Sequence, residues 1–169
     1  NLLYKAKELG IDVNAYDAET RKLIREIKEL ENEGFQFEGA EASLELFLRK
    51  AFGQYEEFFQ LKNLKLIIEK KEAMIKVVVG DQTYHTAAEG DGPVNALDNS
   101  LRKALTEVYP EIKEMHLSDY KVRVLNGNEG TAAKVRVLIE SADQSRKFST
   151  VGVSENIIEA SWQALVDSI

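Results

Sequence analysis

The feature that most constrains the fold is an order of predicted elements that occurs twice. Between residues 64 and 112, three stretches of alternating apolar residues predict strands, and a run with helical spacing follows them. Residues 113–169 have the same order. A shift of 64 positions aligns residues 84–105 with residues 148–169, with three identities in 22 positions. We therefore predict an α+β fold with an internal repeat of two strand–strand–strand–helix (βββα) units, each a small sheet with one covering helix.

In the first repeat, strands are predicted at residues 64–68, 74–79 and 83–88, with a tight hairpin turn beginning at Gly80. A helix follows the run Gly-Asp-Gly-Pro, and Pro110 is expected to close the repeat. The predicted apolar face of this helix comprises Val94, Leu97, Leu101, Leu105 and Val108.

In the second repeat, strands are predicted at residues 120–124, 135–139 and 147–151, with a loop at residues 126–130. Tyr120 alternates in phase with Val122 and Val124, which predicts that all three lie on the covered face of the first of these strands. A helix is predicted to start at Ser154, and its predicted apolar face comprises Ile158, Trp162, Leu165 and Ile169.

Residues 1–63 are predicted to be a short N-terminal helical connector. Apolar spacing predicts a helix from Ala18 to Glu33 that stops at Gly34, and a second helix that ends at Gly53. Such helices bury little by themselves, so we expect them to pack on something outside this chain. The predicted domains are the connector (residues 1–63) and a domain of two repeats (64–169), divided at about residues 64–112 and 113–169.

Composition excludes several classes of protein. The net charge of −7, from 22 basic and 29 acidic residues, argues against a general nucleic-acid binder. No run of 18 apolar residues predicts a membrane span, and no signal peptide is evident, so we expect a cytoplasmic protein. Without cysteine and with two histidines, a cysteine or histidine-rich metal site is excluded. Because the chain starts at Asn1 and ends inside a helical pattern, we interpret it as a piece of a longer protein.

The glycine turn before the first predicted helix is the most informative candidate site. A turn that leads into a helix with Pro93 at its start presents free amides and the positive end of the helix dipole, which can hold a carboxylate or phosphate. The alternative is a turn and a cap without a ligand. The start of the second helix, at Ser154 and Glu155, favours a cap alone.

Other single residues give weaker signals. His85 lies in a predicted strand, where it could be a base but is more typical of a surface position. The hydroxyl of Tyr120 requires a hydrogen-bond partner, which could be backbone, water or a ligand. No nucleophile–base arrangement, phosphate loop or dinucleotide motif is present, so we predict no catalytic residues and no metal ligands.

Four stretches in the expected order resemble the carboxyl-terminal part of the 2-isopropylmalate synthase and citramalate synthase family. Residues 1–10 resemble its helical connector, and residues 32–43 (NEGFQFEGAEAS) resemble the citramalate-type branch. Residues 90–96 (GDGPVNA) and 150–161 (TVGVSENIIEAS) resemble the two helix starts of the family's LeuA-type allosteric and dimerisation domain.

The resemblance implies a parent acyltransferase that joins acetyl-CoA to a 2-oxo acid, pyruvate or 2-oxoisovalerate, on a metal-dependent TIM barrel. This chain contains no such barrel, so we expect it to be inactive and free of cofactor. The resemblance also implies a homodimer that binds the end-product amino acid for feedback inhibition of branched-chain amino acid biosynthesis.

We expect the effector carboxylate at the glycine turn, its ammonium at Asp91 and its side chain in an apolar slot. The predicted effector-binding residues are Gly90, Asp91, Gly92, Val94, Asn95, Leu117, Tyr120, Val124, Ala133, Val153 and Ile157. Residues 32–43 favour a citramalate-type parent and isoleucine. The alternatives are an isopropylmalate-type parent that binds leucine, a purely structural dimerisation module, and a small enzyme that uses His85.

Overall fold

A computed structural model describes residues 2–11, 17–67, 69–126 and 132–169, so most of the predicted loop at 126–130 lies outside the described residues. The described elements are helices α1 (Leu2–Glu8), α2 (Ala18–Glu33), α3 (Glu41–Ala51), α4 (Pro93–Leu105) and α5 (Ile157–Ser168). The strands are β1 (Gln60–Ile67), β2 (Glu72–Val79), β3 (Gln82–Glu89), β4 (His116–Val124), β5 (Val135–Ala142) and β6 (Lys147–Ser154). Short 3-10 helices occur at Phe37–Gly39 and Pro110–Glu114.

These elements divide into two compact units. The larger unit comprises residues 1–55, 118–140 and 147–168, and the smaller unit comprises residues 56–117, 141–146 and 169. The N-terminal helices therefore group with most of the second repeat, whereas the first repeat forms the bulk of the smaller unit. The domain boundary predicted after residue 63 stays a prediction.

The smaller unit contains an antiparallel sheet with the order β1-β2-β3, and α4 packs on β2 and β3. Val79 pairs with Gln82 across a two-residue turn, in which Gly80 has a φ of +57° that glycine adopts at low cost. Helix α4 begins with Pro93, as predicted. The core of this unit is formed by apolar side chains of β2 and α4: Ala73, Ile75, Val77, Ala96, Leu97, Leu101, Ala104 and Leu105.

The predicted apolar face of α4 is one residue too long. The helix ends at Leu105, and Val108 lies in the turn that follows, where its N–H donates to the Leu105 carbonyl at 3.0 Å. Pro110 disfavours helical backbone at Tyr109, so the helix could not have continued past Val108. The chain instead enters the 3-10 helix that leads to β4.

The second sheet has the order β4-β5-β6, and α5 packs on β6. One hydrogen bond confirms that the two repeats are equivalent. Thr86 Oγ1 donates to the Ser100 carbonyl at 2.8 Å, and Thr150 Oγ1 donates to the Ala164 carbonyl at the same distance. Both members of the second pair lie 64 positions after those of the first, so the alignment predicted from the sequence holds at the level of single contacts.

The second helix differs from its prediction at both ends. It begins at Ile157 and not at Ser154, because Asn156 provides the cap: its Oδ1 accepts from the Ile158 N–H at 2.9 Å. Trp162 is only half-buried, and Ile169 follows the last helical residue. The buried face consists mainly of small side chains, which let the helix approach the sheet closely: Ala160, Ser161, Ala164, Leu165 and Ser168.

The N-terminal helices have a packing partner within the chain, which the sequence analysis did not predict; a partner outside the chain stays a prediction. Val151 and Val153 of β6 belong to the same buried cluster as residues from the helices and the 3-10 helix after α2. The other members of this cluster are Ala6, Ile11, Leu23, Ile27, Phe37, Ala40, Leu44 and Leu48. The sequence could not indicate this packing, because α3 and β6 are about a hundred residues apart.

Side chains of the helices also cover the free edge of β6, which is an edge strand of its sheet. The N–H groups of three alternate residues receive acceptors there. Ser149 N–H donates to Glu41 Oε1 at 3.2 Å, and Val151 N–H donates to Ser43 Oγ at 3.0 Å. The N–H of Val153 donates to Gln163 Oε1, also at 3.0 Å. The edge is therefore closed by side chains and not by another strand.

Candidate functional site

The glycine turn of the first repeat is held tightly against the start of α4. A Cβ atom at Gly90 would collide with the backbone nitrogen of Ala96, so only glycine fits there. The Gly90 N–H donates to the Lys71 carbonyl at 3.0 Å, and the Asp91 N–H donates to Asn95 Oδ1 at 3.0 Å. Two of the amides expected to face a ligand are therefore already used within the protein.

The amides of the first turn of α4 remain available. Gly92 is the N-cap residue, and no side chain caps the helix. The first N–H groups of a helix lack partners within the helix and carry the positive end of its dipole, so they can hold a carboxylate. The Asp91 and Asn95 side chains are exposed beside this helix end, and Val94 is half-buried.

Asn99 is a polar residue in this region that the sequence analysis missed. Its Nδ2 donates to the Glu89 carbonyl at 3.0 Å, which ties α4 to the end of β3. The residue 64 positions later is Gln163, which binds the backbone of Val153, the equivalent of Glu89. Comparison of the two repeats would have pointed to this pair, because both positions carry an amide side chain.

An ion pair fixes the connection from α4 to β4. Arg102 Nε lies 3.0 Å from both carboxylate oxygens of Asp98, and its Nη1 donates to the carbonyls of Met115 at 2.7 Å and Ile112 at 3.2 Å. Asp98 is buried, so this pair is a structural clamp. Leu117 follows the clamp on β4 and is half-buried.

Tyr120 has its hydroxyl partner within the larger unit. Its hydroxyl lies 2.9 Å from Ser161 Oγ, and Ser161 Oγ in turn donates to the Ile157 carbonyl at 2.6 Å. A serine hydroxyl has one proton, so Tyr120 is the donor in the first bond. The structure thus connects Tyr120 and Ile157, two predicted site residues, through Ser161.

The residues beside Tyr120 form an ion pair on the surface. Asp119 Oδ2 lies 2.7 Å from Lys121 Nζ. The hydrogen bond from Lys121 lowers the pKa of Asp119, and the same bond raises the pKa of Lys121. Both groups therefore stay charged near neutral pH, and neither has the shifted pKa expected of a general acid or base.

The predicted covered face of β4 was wrong for Val122 and Val124, which are 41% and 57% exposed. The helices of the larger unit pack on β6, two strands away in the sheet, so they do not cover this part of β4. Tyr120 is half-buried because it reaches Ser161 on α5. Alternation along a strand predicts the two faces but not which of them is covered.

The remaining predicted residues differ in exposure. Ala133 and Val153 are buried, and Val153 belongs to the cluster between β6 and the N-terminal helices. Ile157, at the start of α5, is 42% exposed. Six of the eleven predicted site residues lie in the smaller unit, and five lie in the larger unit. Their assignment to one effector site stays a prediction.

A metal site and a membrane span have no candidate residues in the described ranges. His85 and His116 are both exposed. Among the described residues, no group of three histidines, cysteines or carboxylates lies close enough to hold a metal ion. Within the same ranges, no helix is both long enough and apolar enough to span a membrane.

Comparison with known proteins gives consistent matches. Residues 38–169 match a family model described as the LeuA allosteric (dimerisation) domain. The chain is 52% identical to an (R)-citramalate synthase of Geobacter sulfurreducens and to one of Aquifex aeolicus, over all of this chain and 34% of each relative. It is 30% identical to a 2-isopropylmalate synthase of Shewanella woodyi, over 72% of this chain and 22% of that protein. The chain thus spans about a third of the length of these two citramalate synthases.

Proposed function

Because the chain belongs to the LeuA allosteric (dimerisation) domain family, we propose that it is the regulatory part of an (R)-citramalate synthase. In this proposal it forms a homodimer and binds a branched-chain amino acid, preferentially isoleucine, for feedback inhibition. The 52% identity to two proteins of that name, over the whole chain, favours this parent. The proposed parent carries a catalytic TIM barrel that uses a divalent metal and acetyl-CoA, and this chain contributes regulation but no chemistry.

The uncapped start of α4 carries the proposal of effector binding. Its first amides have no side-chain acceptor, and the turn before it can only be glycine at Gly90. An amino-acid carboxylate is a suitable acceptor for these amides. The exposed carboxylate of Asp91 lies next to them in sequence and is a suitable partner for the ammonium group.

The exposed part of β4 supports dimerisation. Val122 and Val124 are large apolar side chains that remain in solvent on an edge strand. An exposed apolar patch is often covered by another subunit, and the unpaired backbone edge of β4 can pair with another strand. A second copy of the same chain would bury Val122 in a symmetric contact.

A second candidate is a structural dimerisation module that binds no effector. It is favoured by the internal bonds of the predicted site, because the Asp91 amide is taken by Asn95 and the Tyr120 hydroxyl by Ser161. A 2-isopropylmalate synthase parent with leucine as effector is the other alternative. It is less favoured because the similarity to such an enzyme is lower and covers less of the chain.

Ligand-dependent melting tests the proposal. A ligand that binds only the folded state at a hundredfold excess over its Kd stabilises it by about 2.7 kcal/mol. For a chain of this size that corresponds to a rise in Tm of about 5–10 °C. Isoleucine should give the largest rise among isoleucine, leucine, valine and alanine. A larger rise with leucine would indicate the isopropylmalate-type parent.

Variants locate the effector. Asp91→Ala should remove most of the rise, whereas Asp81→Ala, an exposed carboxylate in the hairpin of the same unit, should leave it unchanged. Tyr120→Phe should lower the Tm without ligand, since Ser161 loses a donor, but should keep the rise with isoleucine. The absence of any rise with all four amino acids would refute effector binding and leave the dimerisation module.

A further inference from the structure

The larger unit contains a cavity of about 360 Å³ where the end of α2 meets β4 and β5. Its walls come from three segments, and among the predicted effector residues it includes Val124 only. The lining residues are Asn32, Glu33, Gly34, Arg123, Val124, Leu125, Asn126 and Arg136.

Gly34 fixes the wall that α2 contributes. It ends the helix in the left-handed region with a φ of +116°, and a Cβ at this position would collide with Leu125 Cδ1. Its carbonyl accepts from Arg136 Nε at 2.5 Å. The end of α2 is thereby in contact with the end of β4 and with Arg136 of β5.

The cavity brings together two arginines that form no ion pair among the described residues. Arg136 uses Nε for the Gly34 carbonyl and Nη1 for Gln36 Oε1 at 3.0 Å. A guanidinium has five N–H groups, so about three remain. Within the described ranges, neither Arg136 nor Arg123 forms an ion pair with the protein. Partial burial and the nearby charge of Arg123 lower the pKa of Arg136, as expected where two cations share one region.

The other lining groups restrict the ligand further. Among the described lining residues, Glu33 is the one acidic side chain, and it is exposed. A carboxylate accepts hydrogen bonds, so a ligand with an O–H or N–H group beside its own carboxylate would gain a bond here. The carbonyl end of α2 also disfavours an anion without such a donor. Val124 and Leu125 add an apolar wall. The volume is well above the roughly 10–15 Å³ that a single water requires, so the cavity admits a small organic ligand.

We infer that this cavity binds a small carboxylic acid that carries a hydroxyl or amino group on the carbon next to the carboxylate. Arg123 and Arg136 hold the carboxylate, Glu33 accepts from the neighbouring donor group, and Val124 contacts the apolar substituent. The site lies within one compact unit and does not depend on the proposed effector site at the glycine turn.

Three matched probes test the assignment: 2-hydroxy-3-methylbutyrate, valine and 3-methylbutyrate differ only in the hydroxyl, the ammonium or neither. In calorimetric titration of the 169-residue chain, at least one of 2-hydroxy-3-methylbutyrate and valine should bind at least tenfold more tightly than 3-methylbutyrate. A site that hydrogen-bonds a donor group of its ligand rejects the analogue that lacks this group. Amide chemical-shift changes should centre on Gly34 and Leu125. Equally tight binding of 3-methylbutyrate or of inorganic phosphate would overturn the assignment.

Variants separate this site from others. Arg123→Gln should weaken binding at least tenfold, and Arg21→Gln, an exposed arginine on α2 away from the cavity, should not. Glu33→Gln should weaken the binding of valine and should not weaken the binding of the hydroxy acid. This variant therefore distinguishes an amino-acid ligand from a hydroxy-acid ligand. Because valine is also a branched-chain amino acid that the proposed effector site would bind, Asp91→Ala is tested with 2-hydroxy-3-methylbutyrate, whose binding it should leave unaffected. Binding that survives Arg123→Gln, or hydroxy-acid binding that is lost in Asp91→Ala, would refute this cavity as the site.

Discussion

Ser43 is the residue through which α3 is joined to both β6 and α5. Its Oγ accepts from the Val151 N–H at 3.0 Å and donates to Asp167 Oδ2 at 2.6 Å. Ser43 is only 4% exposed, so water cannot easily replace the hydroxyl. Ser43→Ala therefore leaves a buried amide and a largely buried carboxylate without these bonds.

The magnitude follows from the two lost bonds. An unsatisfied buried donor costs about 1–3 kcal/mol, and a hydrogen bond to a charged group contributes about 1.5–3 kcal/mol. The two losses overlap, so we expect the free energy of unfolding to fall by about 2–4 kcal/mol. For a chain of this size the Tm should fall by about 4–16 °C.

Urea unfolding followed by circular dichroism is the appropriate assay. Ser149→Ala is the matched control, because Ser149 lies on the same strand and forms no side-chain hydrogen bond among the described residues; it should change the free energy by less than about 0.5 kcal/mol. The double variant Ser43→Ala/Asp167→Asn should lose less free energy of unfolding than the sum of the losses in the two single variants. A loss below about 0.5 kcal/mol for Ser43→Ala, or strict additivity with Asp167→Asn, would refute the reasoning.

Three further changes test other contacts. Burial raises the pKa of Asp167 above its ordinary value of 3.8, against the opposing effects of Ser43 and Lys50, so the native state binds this proton more tightly than the unfolded state. The contribution of this proton to stability is present in full below the unfolded pKa and is lost as the pH rises through the folded pKa. Asp167→Asn should therefore flatten the fall in unfolding free energy above about pH 4. An unchanged pH profile of the unfolding free energy would contradict this. Gly152→Ala should destabilise by more than about 2 kcal/mol in thermal unfolding, because the added Cβ would collide with a backbone carbonyl of α5, whereas Gly39→Ala, with open space around it, should cost less than about 1 kcal/mol. Thr150→Val keeps the side-chain shape but removes the bond to α5, and should cost about 1 kcal/mol by chemical denaturation; no loss would mean that the bond common to both repeats does not stabilise the fold.

The repeat could be predicted because its signals are local. Alternation, helical spacing and a hairpin glycine each depend on a few neighbouring residues, and they located every strand of both sheets approximately. The face of a strand that is covered is not a local property. Tyr120, Val122 and Val124 alternate correctly, yet only Tyr120 is half-buried, because the helices of this unit pack on β6.

Contacts between distant polar residues were also beyond prediction. Ser43 and Val151 are 108 positions apart, and a serine in a helix is compatible with many surroundings. The small face of α5 is a similar case. Ala160, Ser161 and Ala164 do not form an apolar stripe, so the helical pattern pointed to Trp162, although the small residues allow the closer approach. At the glycine turn, the sequence predicted free amides but not that Asn95 would occupy one of them.

The closed edge of β6 limits how this sheet can assemble. A sheet with two open edges can add a neighbour on each side and continue into a fibre. Here Glu41, Ser43 and Gln163 occupy the outward N–H groups of β6, so growth through backbone pairing remains possible only beyond β4. Pairing of two such sheets through β4 uses the open edge of both copies, and this sheet then has no open edge for a third copy. For this sheet, the side chains that close β6 therefore favour a finite pair over an open-ended polymer.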